Sequence, residues 1–471
     1  MKIDKNTTIH FIGIGGAGMS GLAYVLLKRG YKIQGSDVIP NFWTKKLKQL
    51  GAKIFFPQKE ENITENIDLI VRSSAIKEDN PEYIKAKKLD IPIWHRSQML
   101  AYLVNDKELF AIAGTHGKTT TSSLLTSILN HNGLNPIVFI GAEFDEIQGN
   151  AKDGSGKYAV IEADESDGSF LNYTPYASIV TNIEEDHLDF YTDLKNIQDY
   201  FLKFLKNHKK NGYSIMCGDN YGISSIKQIL KKLHIPVYFY GQGKDNDFII
   251  KNIEEKLEET TYSIFYKDKE IERITITLKG LHNVYNSAAT FIISYLEKWN
   301  TEKTKLALFN FKGPQRRFEI KGEVNKILVI DDYGHHPTEI KTTLKPAKKL
   351  SEKRKGKLVT IFQPHRYSRT AKLLKDFANA FENTDILILM DIYSAGEKNE
   401  YNISIKDLYR EILNSHVRPP KVLYFPHEEK LLEFLWETLM PNDILMTIGA
   451  GNVYKIGEKF LKNLHEGCLI N

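Results

Sequence analysis

Short apolar runs recur along the whole chain, and each empties into a polar segment rich in Gly, Ser, Asp or His. Thr8–Ile14, Leu109–Ala113, Tyr158–Ala163, Ala177–Ile183, Ile327–Ile330, Leu358–Phe362, Asp385–Met390 and Asp443–Ile448 all read this way. Unbroken apolar runs bounded by turn residues predict strands buried on both faces. Between them apolar positions fall at helical spacing, as at Leu124, Leu125, Ile128 and Leu129, and a further helix is expected over Asn196–Leu205. Strands alternating with helices imply parallel sheets, whose ligands gather at the carboxyl ends of the strands.

Two strand ends carry glycine turns. After Leu109–Ala113 comes Gly114-Thr115-His116-Gly117-Lys118-Thr119-Thr120, followed by the helical pattern. This is a strand, phosphate loop and helix: backbone N–H groups and the positive helix end face an anion, Lys118 reaches the terminal phosphates, and the Thr119 hydroxyl can ligate Mg2+. ATP is the natural occupant. Only Thr115 and His116 separate Gly114 from Gly117, so the general motif, with four intervening residues, is partly met. Near the start, Gly13, Gly15 and Gly18 satisfy G-x-G-x-x-G, and the strand Tyr31–Gly35 leads to Ser36 and Asp37, where a ribose-binding acid is expected. On these residues alone a dinucleotide is favoured, although the same turn cradles any diphosphate.

Further strands are expected at Lys53–Phe56, Asp68–Val71 and Ile91–Trp94, the last before a helix holding Arg96 and Met99. Ser73 and Ser74 follow the second of these, either touching a ligand or capping the next segment. The strand ending at Glu162 and Ala163 continues as Asp164-Glu165-Ser166-Asp167, and a second strand opens into Glu184-Glu185-Asp186-His187-Leu188-Asp189. Acids that leave a strand beside a phosphate loop can hold Mg2+ directly or through water. His187 among them is a candidate for metal or phosphate contact. Residues 213–278 mix the strands Tyr213–Cys217, Val237–Tyr240, Thr260–Phe265 and Ile274–Leu278 with a helix near Ile223–Leu233, and offer no evident chemistry. A helix started at His282 places His282 and Asn286 on one face, where they could read an adenine edge. The pattern breaks at Lys312-Gly313-Pro314. Beyond it strands discharge into Asp332-Tyr333-Gly334-His335-His336, Gln363-Pro364-His365-Arg366, Tyr393–Glu397 and Gly449–Asn452, as in a second doubly wound sheet.

Composition narrows the picture modestly. A length of 471 residues suggests two to four domains, and 42% hydrophobic with 26% charged residues is ordinary for a soluble protein. The net charge of +5 is spread over scattered lysines, which argues against a nucleic-acid partner. Two cysteines, Cys217 and Cys468, do not make a disulfide framework and fit a reducing cytosol. MKIDKNTT runs straight into a strand without a signal-peptide core, and no apolar run is long enough for a bilayer, so a cytoplasmic protein without a membrane partner is expected.

The motifs together resemble the Mur ligases of peptidoglycan synthesis. The likeness is carried by HFIGIGGAGMSGLA (His10–Ala23), RSSAIKEDNPE (Arg72–Glu82), GTHGKTTT (Gly114–Thr121), EADESDGSF (Glu162–Phe170), TNIEEDHLDFY (Thr181–Tyr191), LHNVYNSAA (Leu281–Ala289), RRFE (Arg316–Glu319), DDYGHHPTE (Asp331–Glu339), FQPHRYSRT (Phe362–Thr370) and GAGN (Gly449–Asn452). The short phosphate loop is the family's own form. Gly313-Pro314-Gln315 stands where the family usually has a Gly before the Arg pair, and Glu319 replaces the commoner Asp.

The resemblance implies an α/β protein of three domains: a Rossmann-like N-terminal parallel sheet (1–107), a central P-loop ATPase domain (108–313) and a C-terminal Rossmann-like domain (314–471). It implies an ATP-dependent ligase that joins L-alanine to the lactyl carboxylate of UDP-N-acetylmuramate through an acyl phosphate, and a monomer or weak homodimer. The first turn then holds UDP rather than a dinucleotide, through Gly15, Gly16, Ala17 and Gly18, with Asp37, Ser73 and Ser74 nearby. Gly114, Thr115, His116, Gly117, Lys118, Thr119 and Thr120 take the ATP phosphates, and His282, Asn286, Arg317 and Asp332 the rest of the nucleotide. Thr119, Glu162 and His187 hold Mg2+. Tyr333, His335, His336, His365 and Arg366 form the amino-acid side, where an Arg suits a free carboxylate. Lys118, Glu162, His187 and Arg366 are the expected catalytic set. A nicotinamide-dependent oxidoreductase, a nucleotide-binding regulatory protein and a sister ligase that attaches a whole peptide are the rival readings.

Overall fold

The computed structural model of the protein describes residues 3–187, 190–256, 258–415 and 420–465; Leu188, Asp189 and Cys468 lie outside them. The chain divides into two compact units, residues 1–277 with 283–314, and residues 278–282 with 315–471.

The first unit holds two sheets. The smaller is wholly parallel, in the order β3-β2-β1-β4-β5. Its strands are β1 (Thr8–Ile12), β2 (Lys32–Ser36), β3 (Lys53–Phe55), β4 (Leu69–Arg72) and β5 (Ile93–His95). Helix α1 (Ala17–Lys28) follows β1, and α2 (Arg96–Val104) follows β5.

The larger sheet has ten strands in the order β15-β14-β13-β12-β11-β10-β6-β9-β7-β8. Its middle is parallel: β6 (Glu108–Ala113) lies between β9 (Tyr158–Glu162) and β10 (Ala177–Val180), with β11 (Tyr213–Cys217) and β12 (Val237–Gly241) beyond. Helix α3 (Lys118–His131) follows β6, and α4 (Leu281–Leu296) packs in the same unit from Asn283 onward. One flank is an antiparallel hairpin of β7 (Ile137–Phe144) and β8 (Gly149–Lys152). The other is antiparallel β13 (Phe248–Glu255), β14 (Thr260–Tyr266) and β15 (Lys269–Ile276).

The second unit is a six-stranded sheet in the order β16-β17-β21-β18-β19-β20. Antiparallel β16 (Glu319–Val324) borders parallel β17 (Ile327–Asp332), β18 (Leu358–Phe362), β19 (Ile386–Leu389), β20 (Lys421–Tyr424) and β21 (Ile444–Ile448). Helix α5 (Pro337–Arg354) follows β17. Successive residues alternate between two cores: Leu328, Ile330, Leu387, Leu389, Ile444 and Met446 enter one, and Val329, Ile386, Ile388 and Leu445 the other. A sheet covered on both faces has no polar side to show, which is why its strands read as unbroken apolar runs.

Several local expectations are corrected. The helix over 223–233 is two short ones, Tyr221–Ser224 and Lys227–Leu230. The strand expected at Ile274–Leu278 is Lys269–Ile276, and that at Ile91–Trp94 is Ile93–His95. Helix α4 starts at Leu281, not at His282. Among the described residues no helix is long and apolar enough to cross a membrane.

Candidate functional site

The turn after β1 is held from below. Gly13 and Ile14 donate to the Ser36 carbonyl at 2.9 Å, Gly16 donates to Gly13, and the Gly15 amide donates to Asp37 Oδ2 at 2.7 Å. Asn41 Nδ2 donates to the Gly15 carbonyl at 3.1 Å. A Cβ on Gly15 would sit 2.5 Å from Asn41 Nδ2 and 2.8 Å from Asp37 Oδ2, so any larger residue here would push the two bracing side chains aside. Asp37 therefore braces the turn, and the amides of Gly15 and Gly16 are engaged inside it. Ala17 and Gly18, which open α1, carry the first-turn amides that helix geometry leaves for an anion.

Beyond β4, Ser74 Oγ lies 3.0 Å from His95 Nε2 and also donates to Asp167, in the acidic segment after β9. The Ser73 carbonyl closes a turn by accepting from Ile76. Arg96, at the start of α2, donates to Asp164 at 2.8 Å. Polar contacts thus join the segments that follow β4 and β5 to the acidic segment that follows β9.

The second turn is the phosphate loop between β6 and α3. A Cβ on Gly114 would meet Thr181 Oγ1 at 2.2 Å, and the residue takes φ +128°. Thr181 and Asn182, just after β10, strap the loop: the His116 amide donates to Asn182 Oδ1 at 2.8 Å, the Thr115 amide to the Asn182 carbonyl, and Thr181 Oγ1 donates to the His116 carbonyl. The Thr115 and His116 amides, expected to face phosphate, are thereby occupied, whereas helix geometry frees those of the first turn of α3, from Lys118 to Thr120. The His116 imidazole faces Glu184 at 3.5 Å. Asn286 borders the loop from α4: its Oδ1 would lie 2.9 Å from a Cβ on Gly117.

Lys118 Nζ donates to the Gly114 carbonyl at 2.6 Å, the Thr115 carbonyl at 3.1 Å and Glu165 at 3.0 Å. Burial opposes its charge, but Glu165, Asp164 and Glu162 outweigh burial and raise the ammonium's pKa. The neighbouring acids part ways. Burial pushes Glu165 up despite Lys118, whereas Arg96 and Lys118 overcome burial and hold Asp164 below the usual carboxylate range.

The donor set suits magnesium in part. Thr119 Oγ1 lies 2.9 Å and 3.1 Å from the Glu162 oxygens, and Gly141 donates to Glu162 Oε2 at 2.8 Å. A hydroxyl and a carboxylate side by side at a phosphate loop fit a hard cation that takes its other ligands from phosphate and water. His187, with φ +53°, faces Glu165 at 3.8 Å and Asp186 at 3.7 Å instead. Among the described residues no cluster of three or more His, Cys, Asp or Glu side chains could hold a metal alone.

The second unit has its own cluster at the carboxyl ends of β17, β18 and β21. Asp332 accepts from the amides of Phe318 and Gly334, each at 2.8 Å, and burial, opposed by Arg317, pushes its carboxyl up to about 6. Arg317 faces Glu339 at 3.7 Å, as His335 does at 3.6 Å. His336 is the N-cap of α5, its ring accepting from the Thr338 amide. The His365 ring stacks on Tyr393 with centroids 5.5 Å apart, and burial, aided by Arg369 and Arg366, pushes it down to about 4. Arg366 takes φ +75° and faces Glu397 at 3.7 Å, and Ser368 donates to the same carboxylate. His282 belongs to this unit and is pushed down to about 4 by burial and Arg317.

Several residues gain roles that their spacing did not announce. Asn182, Glu165, Arg96 and Glu397 hold the expected residues in place, and Arg316 rather than Arg317 anchors its segment, on Asp331 at 2.9 Å and the Gly449 carbonyl at 2.6 Å. The first two lie within the acid-rich motifs, which is the signal that the sequence offers for them.

Family descriptions match in chain order: "Mur ligase family, catalytic domain" over residues 8–108, "Mur ligase middle domain" over 112–294 and "Mur ligase, glutamate ligase domain" over 316–451. The UDP-N-acetylmuramate–L-alanine ligase of Dictyoglomus turgidum is 41% identical, with 96% of each chain covered, and that of a Geobacter species 42% identical, with 98% of each covered. Among solved structures, the UDP-N-acetylmuramate-alanine ligase of Thermotoga maritima superposes with a TM-score of 0.82 at 27% identity, covering 98% of this chain and 99% of that one. With the glycine turns, the strapped phosphate loop and three matching segments in one order, this chain belongs to the Mur ligase family.

Proposed function

We propose that this chain joins L-alanine to the lactyl carboxylate of UDP-N-acetylmuramate, consuming ATP, as a step of peptidoglycan precursor synthesis in the cytoplasm. The observation that carries the reading is the Lys118–Glu165 and Thr119–Glu162 pairing at the phosphate loop, in a chain so similar over nearly its full length to ligases of that name. The division at 1–107, 108–313 and 314–471 belongs to the same reading, as does a monomer or weak homodimer.

A carboxylate is a poor electrophile at neutral pH. Phosphoryl transfer from ATP to the lactyl carboxylate gives an acyl phosphate, and the alanine amine then displaces phosphate from it. The amides opening α3 and the Lys118 ammonium balance charge on the transferring group. Thr119 and Glu162 would hold magnesium, which supplies Lewis-acid stabilisation of the phosphates when bound. His187 acts through Glu165, the carboxylate that it shares with Lys118. Ala17 and Gly18 hold the UDP diphosphate, and Ser74 is assigned to the same ligand. His282, Asn286, Arg317 and Asp332 are assigned to the nucleotide, and Tyr333, His335, His336, His365 and Arg366 to alanine, whose carboxylate Arg366 pairs with.

The test is ADP release by the purified chain with ATP, magnesium and UDP-N-acetylmuramate, comparing L-alanine, glycine, L-serine and the murein tripeptide. Release that requires the sugar nucleotide and is fastest with L-alanine is the expected result. Preference for the tripeptide, or release without the sugar nucleotide, would overturn it.

A further inference from the structure

The β7–β8 hairpin reaches the surroundings of both glycine turns. At one end Gly141 donates to Glu162, the carboxylate beside Thr119. At the other, Asn150 on β8 is 4% exposed, and its Nδ2 donates to the Ala17 carbonyl at 2.5 Å. Ala17 is the first residue of α1, and its carbonyl also accepts from Ser20 Oγ at 3.0 Å. The surroundings leave little play. A Cβ on Gly21, one turn along α1, would sit 3.1 Å from the Ala151 Cβ and 3.4 Å from Asn150 Oδ1. Lys46 donates to the Gln148 carbonyl at 2.8 Å, and Arg29, just past α1, makes two bonds to Asp153 at 2.8 Å and 2.9 Å.

We propose that Asn150 is a positioning residue for the sugar nucleotide: its buried carboxamide fixes the Ala17–Gly18 peptide, the first within α1, and thereby aims the Gly18 amide at the diphosphate. The proposal rests on the reading of α1 as the UDP site. The physical argument is directional. Residues 13–18 carry no charged side chain of their own, and Arg96, whose guanidinium would lie 3.5 Å from a Cβ on Gly18, is paired with Asp164, so affinity depends on how well backbone N–H groups point, and a peptide plane tilts when its carbonyl loses a partner. Asn150 reaches across from a different sheet, which no motif around Gly13 foretells. Because the same hairpin backs Glu162, the placement of the diphosphate is set by the element that also backs the candidate metal ligand.

The experiment titrates UDP into the full chain by calorimetry, and measures KM for each substrate, in wild type, Asn150→Ala and Gly21→Ala. Asn150→Ala is expected to weaken UDP binding and raise the KM for UDP-N-acetylmuramate by about tenfold, while kcat and the KM for ATP and L-alanine stay within about twofold. Gly21→Ala, which pushes on the hairpin without removing the bond, is expected to give a smaller shift of the same selectivity, and it serves alone if Asn150→Ala does not fold. UDP binding unchanged in a folded variant overturns the proposal, as does a uniform loss against all three substrates. Failure of the wild-type chain to bind UDP instead overturns the site reading beneath it.

Discussion

The two glycine turns of the first unit begin alike and are finished differently. Both run from a parallel strand through glycine into a helix whose first amides face outward. The turn at Gly13–Gly18 is braced by an acid, Asp37, and its own residues offer backbone alone, the Arg96 guanidinium beside Gly18 being paired with Asp164. The turn at Gly114–Lys118 is strapped by a carboxamide, Asn182, and adds a lysine, a threonine hydroxyl and a carboxylate. A diphosphate that is only held needs dipoles. A phosphoryl group in transfer gathers charge, and fixed cations are worth most there. On the proposed reading the same fold element serves as a handle in one place and as reaction machinery in the other.

Substitutions that separate these roles run from large effects to small. Lys118→Ala should lower ADP release by about 10³-fold while UDP titrated by calorimetry binds as in wild type, because only the second turn depends on a side-chain cation. Glu162→Ala should cost about 10²-fold in turnover and raise the magnesium concentration needed for half-maximal rate; a chelator should stop ADP release in wild type without affecting UDP binding. Gly15→Ala should reverse the pattern. Its Cβ would press on Asn41 and Asp37, so UDP affinity falls about tenfold and thermal unfolding reports a loss of about 2 kcal/mol, with the KM for ATP unmoved. Asn41→Ala removes an N-cap bond to Thr44 and the brace on the Gly15 carbonyl; about 1 kcal/mol of stability should go, with a slight rise in the KM for the sugar nucleotide. Equal effects of Lys118→Ala on both ligands would end the distinction.

The sequence makes the turns far more legible than their bracing. Continuous apolar runs mark strands covered on both faces, and glycines mark where the backbone must curl, because both are local demands. Asn182 reaches the phosphate loop from 66 residues away, and Asp37 sits at the offset that suggests a ribose ligand while spending an oxygen on the turn. Neither spacing carries the partner's identity. The β7–β8 hairpin also went unread: Ile137–Phe144 includes Gly141 and Glu143, and a half-covered flank leaves no clean period. His187 was grouped with Glu162 through the family likeness, whereas its imidazole faces Glu165 and Asp186. Two acid-rich segments near one loop can be told apart only by packing.

Lys118 is already occupied. Its ammonium rests on two loop carbonyls and on Glu165, whose side chain is 2% exposed. An arriving anion must out-compete a carboxylate that cannot swing away into water, so the loop sets a threshold of charge. A single inorganic phosphate offers little beyond what Glu165 supplies, whereas a triphosphate carrying its own cation brings enough to draw the lysine over and leaves Glu165 to His187. The expected outcome is that inorganic phosphate binds the loop far more weakly than ATP with magnesium, which calorimetry on the purified chain would show.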